Sequence, residues 1–74
     1  MEKEAVLGAI GAAIQSRRRS AGLSQDGFAD QIGMHRAYYG KVERGQKNLT
    51  IGTLLRICEG LQVKPSELLL DASI

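Results

Sequence analysis

The chain has 74 residues, of which 43% are hydrophobic and 24% are charged, and its formal net charge is +2. This length allows one small domain near the lower size at which a core can support a fold. The single cysteine excludes an internal disulfide and a cysteine-rich zinc site, and it is typical of a reducing cytoplasm. No apolar run reaches the roughly 18 residues of a membrane-spanning helix, and the start of the chain lacks the pattern of a secretion signal.

Charge is unevenly distributed along the chain. Residues 17–47 carry seven cationic and three anionic side chains, whereas the other residues carry three cations and five anions. A basic middle with slightly acidic ends indicates one surface for a polyanion and another surface for a different purpose.

Apolar residues recur at helical spacing, and no alternating strand pattern is sustained, so we predict an all-α fold. The first predicted helix runs from about Lys3 to Ala21, and Gly22 is well placed to end it in the left-handed conformation. Arg18 lies on the apolar stripe of this helix. The other members of the stripe are Leu7, Ile10, Ile14 and Ala21. An arginine on a buried stripe needs an acidic partner.

Two short predicted helices follow and are joined at Gly33. Ser24 is the predicted N-cap of the second helix, which buries an apolar face. The third helix runs from about His35 to Arg44, with Gly45 as its end. Its inward residues are Tyr39, Val42 and Glu43, and its outward residues are Arg36, Ala37, Gly40, Lys41 and Arg44. The outward face has three cations, no anion and two small residues, which suits insertion into a DNA groove.

Thr50 is the predicted cap of a fourth helix, and Pro65 the predicted first residue of a fifth. The inward residues of the fourth helix are predicted to be Ile51, Leu54, Leu55, Ile57, Cys58 and Leu61. The fifth helix is too short to place three consecutive leucines in one core, so spare apolar surface over about residues 65–74 favours a dimer contact. The residues of that predicted contact are Leu68, Leu69, Leu70 and Ile74. The alternative is that the leucines only complete the chain's own core.

This arrangement closely resembles the helix-turn-helix domain of the lambda-repressor/Cro-like family, also called the XRE family. The matching residues are Gly22-Leu23-Ser24-Gln25, Phe28-Ala29, Ile32-Gly33, Tyr38-Tyr39, Val42-Glu43-Arg44-Gly45, Asn48, Thr53-Leu54, Ile57 and Leu61. The resemblance covers about residues 7–70. The combination of Gly-Leu-Ser-Gln with Glu-Arg-Gly at this spacing is a specific signal of the family. It implies a compact five-helix bundle forming one domain over 1–74, with the helix-turn-helix at about 24–45 and the third helix in the major groove.

The resemblance also implies roles for individual residues. Base contacts would come from His35, Arg36, Ala37, Gly40 and Lys41. Contacts to the DNA backbone would come from Ser24, Gln25, Tyr38, Arg44, Lys47 and Asn48. The family's Arg–Glu pair falls on Arg18 and Glu43, in agreement with the position of Arg18 on the apolar stripe. This chain departs from the family pattern at Gly27, His35 and Gln62, where the family favours Glu, a Ser or Thr cap, and Gly.

We therefore expect a sequence-specific regulator of transcription that binds double-stranded DNA as a homodimer on an operator with two half-sites. Its small size is similar to that of controller proteins of restriction–modification systems, and RNA polymerase is a further partner if it activates transcription. An antitoxin-type autoregulator and a protein-interaction module are the alternatives. No catalytic triad, phosphate loop or metal-ligand spacing occurs, so we expect no enzyme activity, metal or cofactor. The expected location is the cytoplasm, at the nucleoid, without membrane contact.

Overall fold

Five α-helices follow one another along the chain, and the computed structural model describes all residues from 1 to 74. They are α1 (Lys3–Ser20), α2 (Gln25–Gln31), α3 (Arg36–Glu43), α4 (Ile51–Leu61) and α5 (Pro65–Asp71). The predicted all-α class and helix order are confirmed. Ala21, His35 and Arg44 occupy cap positions, so α1 and α3 are slightly shorter than predicted. No helix has the length and apolar character required to cross a membrane.

One cluster of buried apolar side chains forms the core. Its members are Ile10, Ala13, Ile14, Phe28, Ala29, Met34, Tyr39, Val42, Leu54, Ile57, Cys58 and Leu68. The rings of Phe28 and Tyr39 meet edge to face with their centroids 5.4 Å apart, which packs α3 against α2. The prediction that Tyr39 points into the core is therefore confirmed.

The turn between α2 and α3 sets the relative position of the two helices. Ser24 Oγ accepts a hydrogen bond from the Gly27 N–H at 3.0 Å, so the predicted N-cap of α2 is confirmed. Gly33 has a φ of 67°, a left-handed conformation that glycine adopts without steric cost. The Met34 N–H then donates to the Ala29 carbonyl at 2.9 Å and closes the turn. The start of α3 is thereby tied to the end of α2.

Helix α4 buries a narrower face than predicted. Thr50 caps it as expected, since its hydroxyl accepts a hydrogen bond from the Thr53 N–H at 3.1 Å. The inward placement of Ile51 and Leu55 is wrong, because Ile51 is 71% exposed and Leu55 is also exposed. These residues are four apart and share the outer side of the helix, one turn from each other.

Helix α5 divides its leucines between the core and the solvent. Leu68 is fully buried in the chain's own core, so its predicted place in a dimer contact is wrong. Consecutive residues of a helix point in different directions, and α5, packed on α1 and α4, buries only Leu68 completely. Leu69 is half-buried, whereas Leu70 is 77% exposed and Ile74 is exposed.

Candidate nucleic-acid interface

A buried ion pair connects α1 to the end of α3. Arg18 Nε donates to Glu43 Oε2 at 2.6 Å, and Arg18 Nη2 donates to Glu43 Oε1 at 3.1 Å. Only 7% of the Arg18 side chain and none of the Glu43 side chain are exposed. Arg18 Nη1 also donates to the Leu23 carbonyl at 2.7 Å, just before α2. The structure thus brings together the two residues that the family resemblance pairs.

Glu43 connects three helices through its carboxylate. Besides Arg18, the side-chain amides of Gln25 and Gln15 donate to Glu43 Oε1 at 3.1 and 3.3 Å. Burial by itself raises the pKa of Glu43, but the polar contacts of its carboxylate, of which the hydrogen bond from Arg18 is the largest, outweigh burial and leave this pKa below its usual range. Glu43 is therefore ionised at neutral pH and connects α1, α2 and α3.

Tyr39 lies beside this pair but does not bond to it. Its hydroxyl oxygen is buried and has no hydrogen-bond partner. Burial, together with the nearby Glu43 carboxylate, raises the pKa of Tyr39. The hydroxyl therefore remains protonated, and the ring serves the core.

Arg36 opens α3 and is bound by the acidic side chains of α2. Its Nε donates to Asp30 Oδ1 at 3.1 Å, its Nη2 donates to Asp30 Oδ2 at 2.7 Å, and its Nη1 lies 3.6 Å from Asp26 Oδ2. The side chains of Arg36 and Asp30 are 59% and 55% exposed. The hydrogen bond from Arg36 lowers the pKa of Asp30, which is charged at neutral pH. This contact was not predicted from the sequence, although Asp26 and Asp30 are four residues apart on one helix face.

The remaining residues assigned to base contacts are His35, Ala37, Gly40 and Lys41. All but Gly40 are exposed. His35 occupies the N-cap position of α3, yet its side chain makes no capping hydrogen bond. The outward placement of Gly40 is wrong, because it is buried beneath two long side chains. A Cβ at this position would lie 3.2 Å from Arg44 Nη1 and 3.4 Å from Gln25 Oε1.

The residues assigned to the DNA backbone differ in their exposure and in the hydrogen bonds that they already make within the protein. Gln25 is half-buried, and its amide nitrogen donates one hydrogen to Glu43, which leaves the second hydrogen for another acceptor. Arg44 is exposed and donates from Nε to Gln46 Oε1 at 3.1 Å. Of the others, Ser24, Lys47 and Asn48 are exposed and Tyr38 is half-buried.

Comparisons with known proteins agree with this architecture. Residues 14–68 match the HTH_3 family, which is described as helix-turn-helix. The control protein C.MunI of Mycoplasma sp is 40% identical over 55 residues, which cover 74% of each chain. The control protein C.SmaI of Serratia marcescens is 38% identical over 56 residues, covering 76% of this chain and 67% of that protein.

Solved structures show the same fold. The crystal structure of the restriction-modification controller protein C.AhdI from Aeromonas hydrophila has a TM-score of 0.80 and 37% identity, covering 84% of this chain and 94% of that chain. The clp gene regulator ClgR from C. glutamicum has a TM-score of 0.87 and 26% identity, covering 92% and 88%. This chain belongs to the HTH_3 (XRE-like) helix-turn-helix family and is a DNA-binding transcriptional regulator of the controller-protein type.

Proposed function

We propose that the chain binds an operator in double-stranded DNA as a homodimer, with α3 of each protomer in the major groove of one half-site. The observation that carries this proposal is the outer side of α3, where Arg36, Lys41 and Arg44 are exposed without an anion on the same helix face. The Arg18–Glu43 pair holds the other side of α3 against the body of the protein. A cationic helix face in a fixed orientation is what groove binding requires.

The base contacts in this proposal come from the exposed side of α3 and from its N-cap residue. Arg36 donates to O6 and N7 of a guanine, because its planar guanidinium matches those two acceptors. Ala37 meets the methyl group of a thymine, while His35 and Lys41 lie on either side of these contacts. Gly40 is left out of this set because the Gln25 and Arg44 side chains cover it.

Contacts to the DNA backbone surround the base contacts. Gln25 offers its remaining N–H to a phosphate, and Arg44 is beside it over Gly40. The other members of this set are Ser24, Tyr38, Lys47 and Asn48. Phosphate contacts orient a protein on the duplex but carry no sequence information. Gln25→Ala is therefore expected to weaken binding to all duplexes about equally, and a loss confined to one sequence would contradict its phosphate role.

The test of base recognition is selection of bound sequences from random duplexes, followed by binding titrations with variants. We expect a two-fold symmetric site whose half-site centres are about 34–36 Å apart, or a multiple of that distance. At one position of each half-site, Arg36→Ala should reduce the ratio of affinities for the preferred base and the other bases by roughly tenfold or more. Arg56→Ala, which removes an exposed cation from α4, is the matched control and should keep the preference.

Two outcomes would contradict this part of the proposal. One is an unchanged sequence preference in Arg36→Ala. The other is binding that does not weaken steeply with added salt, because release of counterions from several phosphates makes DNA binding strongly salt-dependent. The second outcome would favour a protein-interaction module in place of a DNA-binding one.

The homodimer rests on the exposed apolar side chains at the end of the chain. Leu70 and Ile74 are exposed, Leu69 is half-buried, and a shallow groove lined by Met1 and Val6 adjoins Ile74. Apolar surface of this kind on a small protein marks an association site. We propose that two copies meet through Leu70, Ile74 and the exposed part of Leu69.

Sedimentation at several concentrations tests this interface. Leu70→Lys should shift the protein toward the monomer and weaken binding to a two-half-site duplex more than binding to a single half-site. Ile51→Lys is the matched control, since Ile51 is also a large, exposed apolar residue but lies on α4. A monomer produced by Ile51→Lys and not by Leu70→Lys would move the interface to α4.

A further inference from the structure

The guanidinium of Arg36 makes hydrogen bonds along only one of its edges. Asp30 accepts from Nε and Nη2 at 3.1 and 2.7 Å, which is the side edge of the group. An arginine has five N–H donors, and the end formed by Nη1 and Nη2 retains a hydrogen on each nitrogen. Only Asp26 Oδ2 approaches that end, and its distance of 3.6 Å from Nη1 exceeds that of a hydrogen bond.

We propose that Asp30 is a positioning residue for base recognition: it holds Arg36 by the Nε–Nη2 edge so that the Nη1–Nη2 end meets O6 and N7 of a guanine. This inference rests on the proposed function, because it assumes that Arg36 of α3 faces base edges. It adds a residue of α2 to the determinants of sequence preference.

The backbone supports this role by fixing where the Asp30 carboxylate lies. Ser24 caps the start of α2, and the Met34 N–H bonds to the Ala29 carbonyl next to Asp30. The carboxylate therefore comes from a helix whose distance to the start of α3 is set by a closed turn. An arginine free in solvent loses rotamer freedom when it binds a base, whereas one already held in place loses less.

The same carboxylate has the opposite effect on binding that is independent of sequence. A negative charge beside the DNA-facing side of α3 repels phosphates of every duplex. Asp30 should therefore weaken binding to random DNA and strengthen discrimination for the correct base. Asp26 shares the repulsion but makes no hydrogen bond to Arg36, so it provides a matched control of the same charge on the same helix.

Titrations of Asp30→Ala and Asp26→Ala test the proposal. Each variant is measured against the selected duplex, the same duplex with the guanine replaced, and a random duplex. Asp30→Ala should reduce the preference for guanine by roughly fivefold and bind random DNA more tightly. Asp26→Ala should tighten binding to all three duplexes about equally and keep the preference. In an Arg36→Ala background, Asp30→Ala should leave base preference unchanged.

Two results would overturn the positioning role. In the first, Asp30→Ala retains the full guanine preference, whether or not it tightens binding to all three duplexes equally. In the second, Asp30→Ala changes base preference in the Arg36→Ala background. If Arg36→Ala removes the preference while Asp30→Ala leaves it intact, only the role of Asp30 fails. If the unaltered protein shows no sequence preference, or if Arg36→Ala leaves that preference unchanged, both the proposed function and this inference fail.

Discussion

Arg18 and Arg36 each bind a carboxylate through the same edge of the guanidinium, and these two pairs differ mainly in their exposure to water. Arg18 donates from Nε and Nη2 to Glu43 at 2.6 and 3.1 Å, and Arg36 donates from the same two atoms to Asp30 at 3.1 and 2.7 Å. The first pair is almost entirely buried, whereas more than half of each side chain in the second is exposed.

The difference in exposure gives the two pairs different functions. Water cannot replace Glu43 as the partner of Arg18, so loss of either side chain leaves a buried charge without compensation. Water reaches both members of the Arg36–Asp30 pair, so the pair contributes little to stability, and the Nη1–Nη2 end of Arg36 stays open to the acceptor groups of DNA. The buried pair is therefore suited to fixing α3 in place, and the exposed pair to contacting a ligand.

The largest expected effect comes from breaking the buried pair. Glu43→Ala should lower the free energy of unfolding by about 3–5 kcal/mol, because it strands the Arg18 guanidinium inside the protein. Urea denaturation followed by circular dichroism measures this loss. Asp30→Ala, the equivalent change at the exposed pair, should leave the denaturation midpoint nearly unchanged. Equal losses in the two variants would remove the distinction between the pairs.

Backbone contact beneath the buried pair provides the next test. A Cβ on Gly11 of α1 would lie 2.5 Å from the Glu43 carbonyl oxygen and 2.6 Å from that of Val42. Gly11→Ala should therefore push α3 away from α1 and lower the free energy of unfolding by about 1–3 kcal/mol.

Gly8 provides a matched control within the same helix. A Cβ on Gly8 would have no atom within 4 Å, so Gly8→Ala should stabilise the protein by about 0.5–1 kcal/mol through helix propensity alone. Thermal melting of both variants measures this difference in stability. A Gly11→Ala variant as stable as Gly8→Ala would show that the close approach of α1 and α3 is not needed.

Acid should weaken the buried pair through Glu43. The pKa of Glu43 lies below its ordinary value of 4.5 in the folded chain, so the unfolded chain binds more protons near that pH. The contribution of the pair is complete above about pH 4.5 and is lost as the pH falls through the folded-state pKa. Urea denaturation at a series of pH values measures the free energy of unfolding. This free energy should decline toward acid in Asp30→Asn much as it does in the unaltered protein, and it should depend less on pH in Glu43→Gln. A steep acid loss in Glu43→Gln would assign it to other carboxylates.

The parts of the fold that sequence predicts depend on local chemistry. Ser24 and Thr50 cap their helices as expected, and Gly33 provides the turn, because capping and left-handed turns involve only neighbouring residues. The apolar stripe predicts that Arg18 needs an acidic partner, and the family resemblance is what assigns that partner to Glu43.

The errors concern residues at the edges of helix faces. Leu55 follows the buried Leu54 and differs from it by about 100° around the helix. Whether the Leu55 side chain is buried therefore depends on the angle at which α4 crosses its neighbouring helices. Gly40 is buried by the reach of Gln25 and Arg44, which a helical wheel does not describe. The contact of Asp30 with Arg36 likewise depends on the angle between α2 and α3.

The smallest expected effect is at Tyr39, whose hydroxyl is buried next to the pair without a hydrogen-bond partner. Tyr39→Phe keeps the ring against Phe28 and removes a polar group whose burial is not compensated. The free energy of unfolding should therefore change by less than about 1 kcal/mol, in the direction of greater stability. Tyr38→Phe, at a half-buried position, is the control for loss of a solvated hydroxyl. A clear loss of stability in Tyr39→Phe alone would show that the hydroxyl donates to Glu43, and that more than Arg18 and two amides hold the buried carboxylate.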